Sequence, residues 1–409
     1  MSMAKLWGLT LLERNVRELA RLGVEEMVVL TSLQATSAVL VKHALPTSVA
    51  VRFDTDANAR SFDALGRYLS ASNDLVLVLQ GNVLHDKRIL DLLANASGTC
   101  GLLAPNDTQG AAAGVLSAAQ ATLVHRRFDG TLTASIQGCL EAGVLPRLDL
   151  MSLDPYLKHL RRTVCPFMIG VQTASDLKQA DAMLRQTVHK GTNDFVAVYI
   201  HPPLEFGMTR LLANTKVTPN QVTLVGMLFS SLAVYLFATG HLVGGILCAA
   251  TKGVLDGVDG KLARLHIKYS KSGDLLDHVG DIIFDALWYL ALGWHFAHGD
   301  ASSTAATFTI ILLTAYWIQR IVPGVFARRH GREIYDYEEV DKFVRLIGSR
   351  MNNNVWVMML GILLGFAREF FYGISIWMAA TALWYTARLL YVSWRVRTQP
   401  LPMPSDQRL

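Results

Sequence analysis

The sequence predicts a two-part protein: an α/β N-terminal domain followed by an all-α membrane domain of six transmembrane helices. Three observations lead there. Hydrophobic residues make up 51% of the 409, high for a soluble protein, and they are unevenly spread. Residues 1–200 carry mixed sequence in which strand and helix patterns alternate, whereas 220–395 is dominated by long apolar runs. Lys and Arg gather between alternate apolar runs, the mark of a chain threaded through a bilayer.

In the first part, Leu11–Leu22 has apolar residues at helical spacing, and Met27–Thr31 reads as a buried parallel strand. Asp74–Leu79 is a second such strand, followed by Gly81-Asn82 and a helix at Lys87–Ala94. Val49–Phe53 and Ala112–Leu123 are further strand candidates. Strands alternating with helices predict a parallel sheet with ligands at the carboxyl ends of its strands. The N-terminus lacks the apolar stretch and small-residue cleavage site of a signal peptide, so this part is expected in the cytoplasm. Cys100, Cys139, Cys165 and Cys248 are scattered with no CxxC pair, which argues against a zinc site or a disulfide framework. A net charge of +5 is too modest to signal a nucleic-acid partner.

Residues 201–218 connect the two parts, and Leu204–Asn214 is apolar on one side, as a helix lying at a membrane interface would be. From Pro219 onward come apolar spans of roughly 20 residues, enough to cross the hydrocarbon core. They fall near 221–240, 243–263, 273–297, 303–322, 352–368 and 371–393. The turns near 240 and 298 hold no Lys or Arg, and the one near 369 holds only Arg368. The other side holds Arg264, Lys268 and Lys271, then Arg328, Arg329, Arg332, Lys342, Arg345 and Arg350, and last Arg395 and Arg397. The positive-inside rule therefore predicts six spans with both termini cytoplasmic, in the cell (inner) membrane. The expected division is 1–200, a cytosolic domain; 201–218, a juxtamembrane helix; and 219–398, the membrane domain.

Across the second and third spans runs DGVDGKLARLHIKYSKSGDLLDHVGD, residues 256–281. Asp256, Asp259, Asp277 and Asp281 lie at or inside apolar spans, where an unpaired carboxylate is costly. Asp274, at the mouth of the third span, is expected to be solvated. Asp256 and Asp259 (i, i+3) share a helix face, as do Asp277 and Asp281 (i, i+4), with Gly273 one turn earlier on that face. Two helices joined by a short cytoplasmic loop can bring all four carboxylates together. Their mutual repulsion calls for a divalent cation, and hard oxygen ligands suit Mg²⁺, Mn²⁺ or Ca²⁺ rather than zinc. Gly260 and Ala263 leave room for a ligand to approach the backbone, and Arg264 can pair with a phosphate. The competing reading is a set of buried ion pairs or a polar packing interface, since Lys252, one turn before Asp256, could pair with it.

These residues carry a resemblance. The pattern Asp256-x2-Asp259-Gly260-x2-Ala263-Arg264-x8-Gly273-x3-Asp277-x3-Asp281 resembles the CDP-alcohol phosphotransferase signature at every fixed position, and six spans is that family's usual count. The resemblance implies that Asp256, Asp259 and Asp277 bind Mg²⁺ or Mn²⁺, two ions, which hold the diphosphate of a CDP-alcohol. It implies that Asp281 is the general base for the acceptor hydroxyl and in part a ligand. Gly260, Ala263, Arg264 and Gly273 would line the nucleotide site. Thr218-Pro219-Asn220-Gln221-Val222-Thr223 resembles the family's entry to the first span, which places Pro219, Asn220 and Thr223 near the cytidine; Pro-Asn is also an ordinary helix start. Arg210 and Arg320 are candidates for a phosphate on the acceptor, whereas most other cytoplasmic arginines are expected to contact anionic lipid. Asp285, one turn beyond Asp281, is expected to hydrogen-bond within the bundle.

In the N-terminal part, Gly8-Leu9-Thr10-Leu11-Leu12-Glu13-Arg14-Asn15 and the segment 75–93 resemble parts of the sugar-nucleotidyltransferase fold. The Gly-rich phosphate loop of that fold is missing, and Asn82 stands where its metal-binding aspartate is expected. A degenerate, inactive nucleotidyltransferase-like domain is the expectation. Such domains occur fused to CDP-alcohol phosphotransferases, which points to an inositol-phosphate-type acceptor.

The expected reaction is transfer of a phospho-alcohol group from a CDP-alcohol, such as CDP-diacylglycerol, to an acceptor hydroxyl, with release of CMP. The expected assembly is a homodimer in membrane lipid, without nucleic acid. A catalytically relict membrane scaffold and a divalent-cation transporter are the alternatives; a transporter would have no use for Arg264 or the Gly and Ala positions.

Overall fold

The structure, a computed structural model, describes residues 3–30, 50–54, 62–71, 74–104, 110–118, 132–268 and 271–398. Thr31, Val49 and 119–123 of the expected strands lie outside the described residues, as do the side chains of Lys271, Asp274 and Arg397. The chain divides into two compact units. One comprises Met1–His189 with Leu265–Ile267, the other Lys190–Arg264 and Lys268–Leu409.

The first unit opens with a hairpin, β1 (Lys5–Leu6) and β2 (Leu9–Thr10), turned by Trp7 and Gly8 at φ 53° and 84°. Positive φ at both central residues is what a tight two-residue hairpin turn needs. Thr10 then caps helix α1 (Leu11–Arg21), its hydroxyl accepting from the Glu13 amide at 3.1 Å. Strands β3 (Glu26–Leu30) and β4 (Ala50–Asp54) pair in parallel, as expected. Helix α2 (Phe62–Ala71) leads to β5 (Val76–Leu79) and β6 (Val83–His85), and Asp86 caps α3 (Lys87–Ala94). After these come β7 (Cys100–Leu103), β8 (Ala112–Leu116) and α4 (Leu132–Glu141). The hairpin β9 (Tyr156–Leu157) with β10 (Arg162–Thr163), then β11 (Met168–Gly170) and α5 (Ala174–Val188), complete it.

The parallel sheet is found only in part. β5 and β7 both pair antiparallel with β8, and β6 pairs antiparallel with β11. A run of buried β-branched and leucine residues encodes burial on two faces, not strand direction. Only residues 104–111 separate β7 from β8, too few for the crossover a parallel pair requires. Val83, Ile89, Leu93, Leu102, Ala113 and Val115 form the core under this sheet.

The second unit is helical. A single wide helical turn, Val196–Ile200, runs into α6 (His201–Ala213). The long helices are α7 (Pro219–Ala238), α8 (Leu242–His266), α9 (Lys271–Ala297) and α10 (Thr304–His330). After the short α11 (Glu339–Ile347) come α12 (Met351–Leu363) and α13 (Ala367–Thr398). A helix lies over five of the six apolar runs, whereas in the fifth, expected over 352–368, α12 stops at Leu363 and α13 begins at Ala367, with Gly365 at φ 80° between them. Among the described residues, α7 and α10 are long and apolar enough on their own to cross a membrane. α8 does not pass that test: it carries Lys252, Asp256, Asp259, Lys261 and Arg264. α10 runs past the expected end near 322, through Pro323, to a left-handed Gly331 at φ 68°.

Thr218 starts α7 with a reciprocal capping box, its hydroxyl accepting from the Gln221 amide and Gln221 accepting from the Thr218 amide, with Pro219 first in the helix. Phe237, Trp288, Leu292, Leu312, Met358 and Phe371 pack the bundle interior. Arg388 on α13 holds α11 through two bonds of 2.7 Å to Asp341 and one of 2.7 Å to Glu338.

Candidate functional site

Helices α8 and α9 are antiparallel neighbours in sequence, and each presents two aspartates one turn apart. Carboxylate oxygens of Asp256, Asp259 and Asp277 come within 4.8 Å of one another. Asp281 joins them around a cleft of about 250 Å³ that Thr223, Gly226 and Met227 of α7 close from the other side. Asp259 is 5% exposed; its Oδ2 accepts from the Thr223 hydroxyl at 2.5 Å. Lys252 Nζ lies 3.3 Å from Asp256 Oδ1 and also bonds Asp281 Oδ1.

The lining residues test the metal expectation. Among the residues that line the cleft one ammonium faces four carboxylates, an excess of negative charge at the lining itself, with Lys190 and His278 acting on Asp256 and Asp277 from outside it. Oxygen-only donors at this spacing suit Mg²⁺ or Mn²⁺ and give zinc no nitrogen or sulfur. The set fits divalent ions.

Around the carboxylates, the small residues serve close approach. A Cβ at Gly273 would lie 2.5 Å from Asn220 Oδ1, so the glycine lets the start of α7 sit against α9. At Gly260 a Cβ would lie 3.2 Å from the Arg264 guanidinium, which folds back over the helix there. The space that the sequence reserved for a ligand is thus bordered by a cation. Ala263 is half-buried, Pro219 buried and Asn220 exposed.

A second cleft, of about 270 Å³, lies further along α9. Asp277, Asp281, Asp285 and Tyr289 recur every four residues on α9; the first two line the first cleft and the last two this one. Arg320, Arg350, Gln319 and Ser349 complete its polar wall. Arg320 donates to Asp285 Oδ2 at 2.5 Å and to the Tyr316 hydroxyl at 3.1 Å, which answers the expectation of a bonded Asp285. Arg210 is exposed on α6 and lines neither cleft.

Three features escaped sequence reasoning. The pairing of Lys252 with Asp256 is visible as an i, i+4 spacing, but its reach to Asp281 is not. Thr223 was expected beside the nucleotide, and its bond to Asp259 depends on how α7 meets α8. Arg350 reads as one more cytoplasmic arginine until α12 carries it into the second cleft. In the first unit, the Asn82 amide donates to the Val171 carbonyl at 3.3 Å.

Residues 216–387 match the model of the CDP-alcohol phosphatidyltransferase family. Among curated proteins, a bifunctional IPC transferase and DIPP synthase of Thermococcus kodakarensis is 30% identical over 196 residues, covering 47% of this chain and 43% of that protein. An archaetidylinositol phosphate synthase of Pyrococcus horikoshii is 38% identical over 96 residues, 23% of this chain and 50% of that one. A phosphatidylinositol phosphate synthase of Corynebacterium glutamicum is 32% identical over 110 residues, 26% of this chain and 50% of that one. The chain spans half or less of the length of these relatives. A solved Mycobacterium tuberculosis phosphatidylinositol phosphate synthase with CDP-DAG bound aligns over 46% of this chain and 93% of that one, at 18% identity and a TM-score of 0.34.

Proposed function

We propose that this protein transfers a phospho-alcohol group from a CDP-alcohol to the hydroxyl of an inositol-phosphate-type acceptor and releases CMP. The observation that carries this reading is the convergence of Asp256, Asp259 and Asp277 within 4.8 Å, with Asp281 on the same cleft. Asp256, Asp259 and Asp277, with Asp281 in part, would hold two Mg²⁺ or Mn²⁺ ions. Bound there, the ions supply charge neutralisation for the donor diphosphate and for the leaving CMP.

The chain's own residues do the rest. Pro219, Asn220, Thr223, Gly260, Ala263, Arg264 and Gly273 border the nucleotide, with the Arg264 guanidinium pairing a phosphate oxygen. Asp281 takes the proton of the acceptor hydroxyl as the new O–P bond forms and the P–O bond to CMP breaks. Lys252, bonded to both Asp256 and Asp281, orients the base and tempers the repulsion around it. Arg320 and Arg350 in the second cleft bind the acceptor phosphate, one helical turn beyond the base. Arg210, the other candidate for the acceptor phosphate, is exposed on α6 and lines neither cleft.

The same reading places α7 to α10, α12 and α13 across the cell (inner) membrane as six spans, with both termini and the first cleft facing the cytoplasm and the protein a homodimer. The N-terminal unit is read as a nucleotidyltransferase-like domain without activity. Asn82 supports this: its amide is spent on a backbone carbonyl, and a neutral amide is a poor metal ligand.

The test is a CMP-release assay with purified full-length protein, CDP-diacylglycerol and other CDP-alcohols, Mg²⁺ or Mn²⁺, and a panel of acceptors. Metal-dependent CMP release with an inositol phosphate is the expected result. Ion binding without turnover on any pair would mark a relict scaffold, and ion flux into vesicles a transporter.

A further inference from the structure

Helix α6 packs with its polarity reversed relative to a soluble helix. His201, Glu205 and Thr209 recur every four residues and are 1%, 3% and 0% exposed, while Leu204 and Leu211 are 49% and 75% exposed. The polar stripe faces α8. A Cβ at Gly253 would lie 3.1 Å from His201 Cε1, and one at Gly257 would overlap the Glu205 carboxylate. One turn further along α8, the Lys261 ammonium, 3% exposed, bonds Glu205 Oε2 and stacks over the Phe206 ring at 5.2 Å. At the other end, Trp356 Nε1 on α12 donates to His201 Nε2 at 3.2 Å. The ring proton is then on Nδ1, 3.6 Å from Glu205 Oε1.

A buried ion pair is an expensive way to hold two helices together, because both charges leave water and apolar side chains would pack as well. Its merit is directional. Glu205 finds its partner, and its place over Gly257, at one rotation of α8 only. Asp256 immediately precedes Gly257, and Asp259 lies two residues before Lys261. At about 100° per residue, the rotation that satisfies Glu205 on one side of α8 turns both aspartates toward the cleft on another. A small rotation of α8 would separate their oxygens from those of Asp277, since carboxylates hold an ion only within a few tenths of an ångström.

We propose that Glu205 and Lys261 are positioning residues, a buried pair that locks the rotation of α8 and so the spacing of Asp256 and Asp259 for divalent ions. The proposal deepens the reading of the carboxylate cleft as an ion site and does not require the transfer reaction itself.

The test is Mn²⁺ binding followed by electron paramagnetic resonance on the purified full chain, beside the melting temperature. Glu205→Gln and Gly257→Ala should each weaken Mn²⁺ binding about tenfold, the size expected when a residue orienting a ligand is lost. The double exchange Glu205→Lys with Lys261→Glu should restore it. In the CMP-release assay, the Mn²⁺ concentration for half-maximal rate should shift in parallel while the acceptor KM stays put. Wild-type Mn²⁺ affinity in folded E205Q or G257A would overturn the proposal, as would a folded double exchange that stays as weak as E205Q. If E205Q does not fold, G257A, which keeps both charges, gives the reading. Mn²⁺ binding by the wild type without CMP release would sink the transfer reaction and leave this inference standing.

Discussion

The Thr223 hydroxyl donates to Asp259 Oδ2 at 2.5 Å, joining the first turn of α7 to the most buried aspartate of the cleft. The bond fixes which oxygen of Asp259 remains for a ligand. Thr223→Val keeps the shape and removes the donor, so Mn²⁺ affinity should fall by about tenfold or more, and Thr223→Ser should retain it. Titration by electron paramagnetic resonance checks both, and a T223V protein that binds as the wild type would show the bond to be incidental.

Asp281 lies outside the group of three converging carboxylates and shares the Lys252 ammonium with one of them, Asp256. Asp281→Asn should lower CMP release by about a hundredfold or more while Asp256, Asp259 and Asp277 still bind Mn²⁺. Single-turnover kinetics beside an ion-binding isotherm separates the two effects. Turnover at the wild-type rate would remove Asp281 from the role of base.

In the second cleft, the Arg320 fork is shared between Asp285 and Tyr316. Arg320→Lys keeps the charge that Asp285 needs but loses the planar fork. The acceptor KM should rise by about tenfold, with the CDP-alcohol KM unchanged. Equal shifts in both constants would point to a general disturbance of the bundle instead.

His85 offers a test confined to the N-terminal unit. It is 7% exposed, with Nδ1 3.2 Å from Asn15 Oδ1, and burial pushes its pKa down from 6.5 to about 4. The folded state therefore resists protonation that the unfolded chain accepts. The associated stability is intact above about pH 6.5 and declines as pH falls toward about 4, on the order of 1.4 kcal/mol per pH unit. Protection factors of the β6 and α3 amides in the full chain, taken relative to the intrinsic exchange rate at each pH, should fall over that window, and His85→Gln should flatten the dependence. Unchanged protection factors between pH 7 and 5 would contradict it.

The helical elements were legible because their signals are local. Apolar runs located a helix at each of the six expected positions, although α10 runs eight residues past its expected end and α12 stops five short of its own, and Pro219-Asn220 announced the start of α7. Strand directions were not legible. The buried runs at Val76–Leu79 and Ala112–Leu116 look alike whether they pair parallel or antiparallel, and the short connection before β8 decided for antiparallel.

By itself the sequence determined the spacing of Asp256, Asp259, Asp277 and Asp281, and with it the faces on which they lie, because helix periodicity converts spacing into direction. Only the tertiary structure decided which groups meet those faces. Thr223 on Asp259, Lys252 between Asp256 and Asp281, Arg350 beside Arg320, and Glu205 over Gly257 all depend on how separate helices are rotated against one another. That rotation is set by packing between residues far apart in the chain, which no local pattern records.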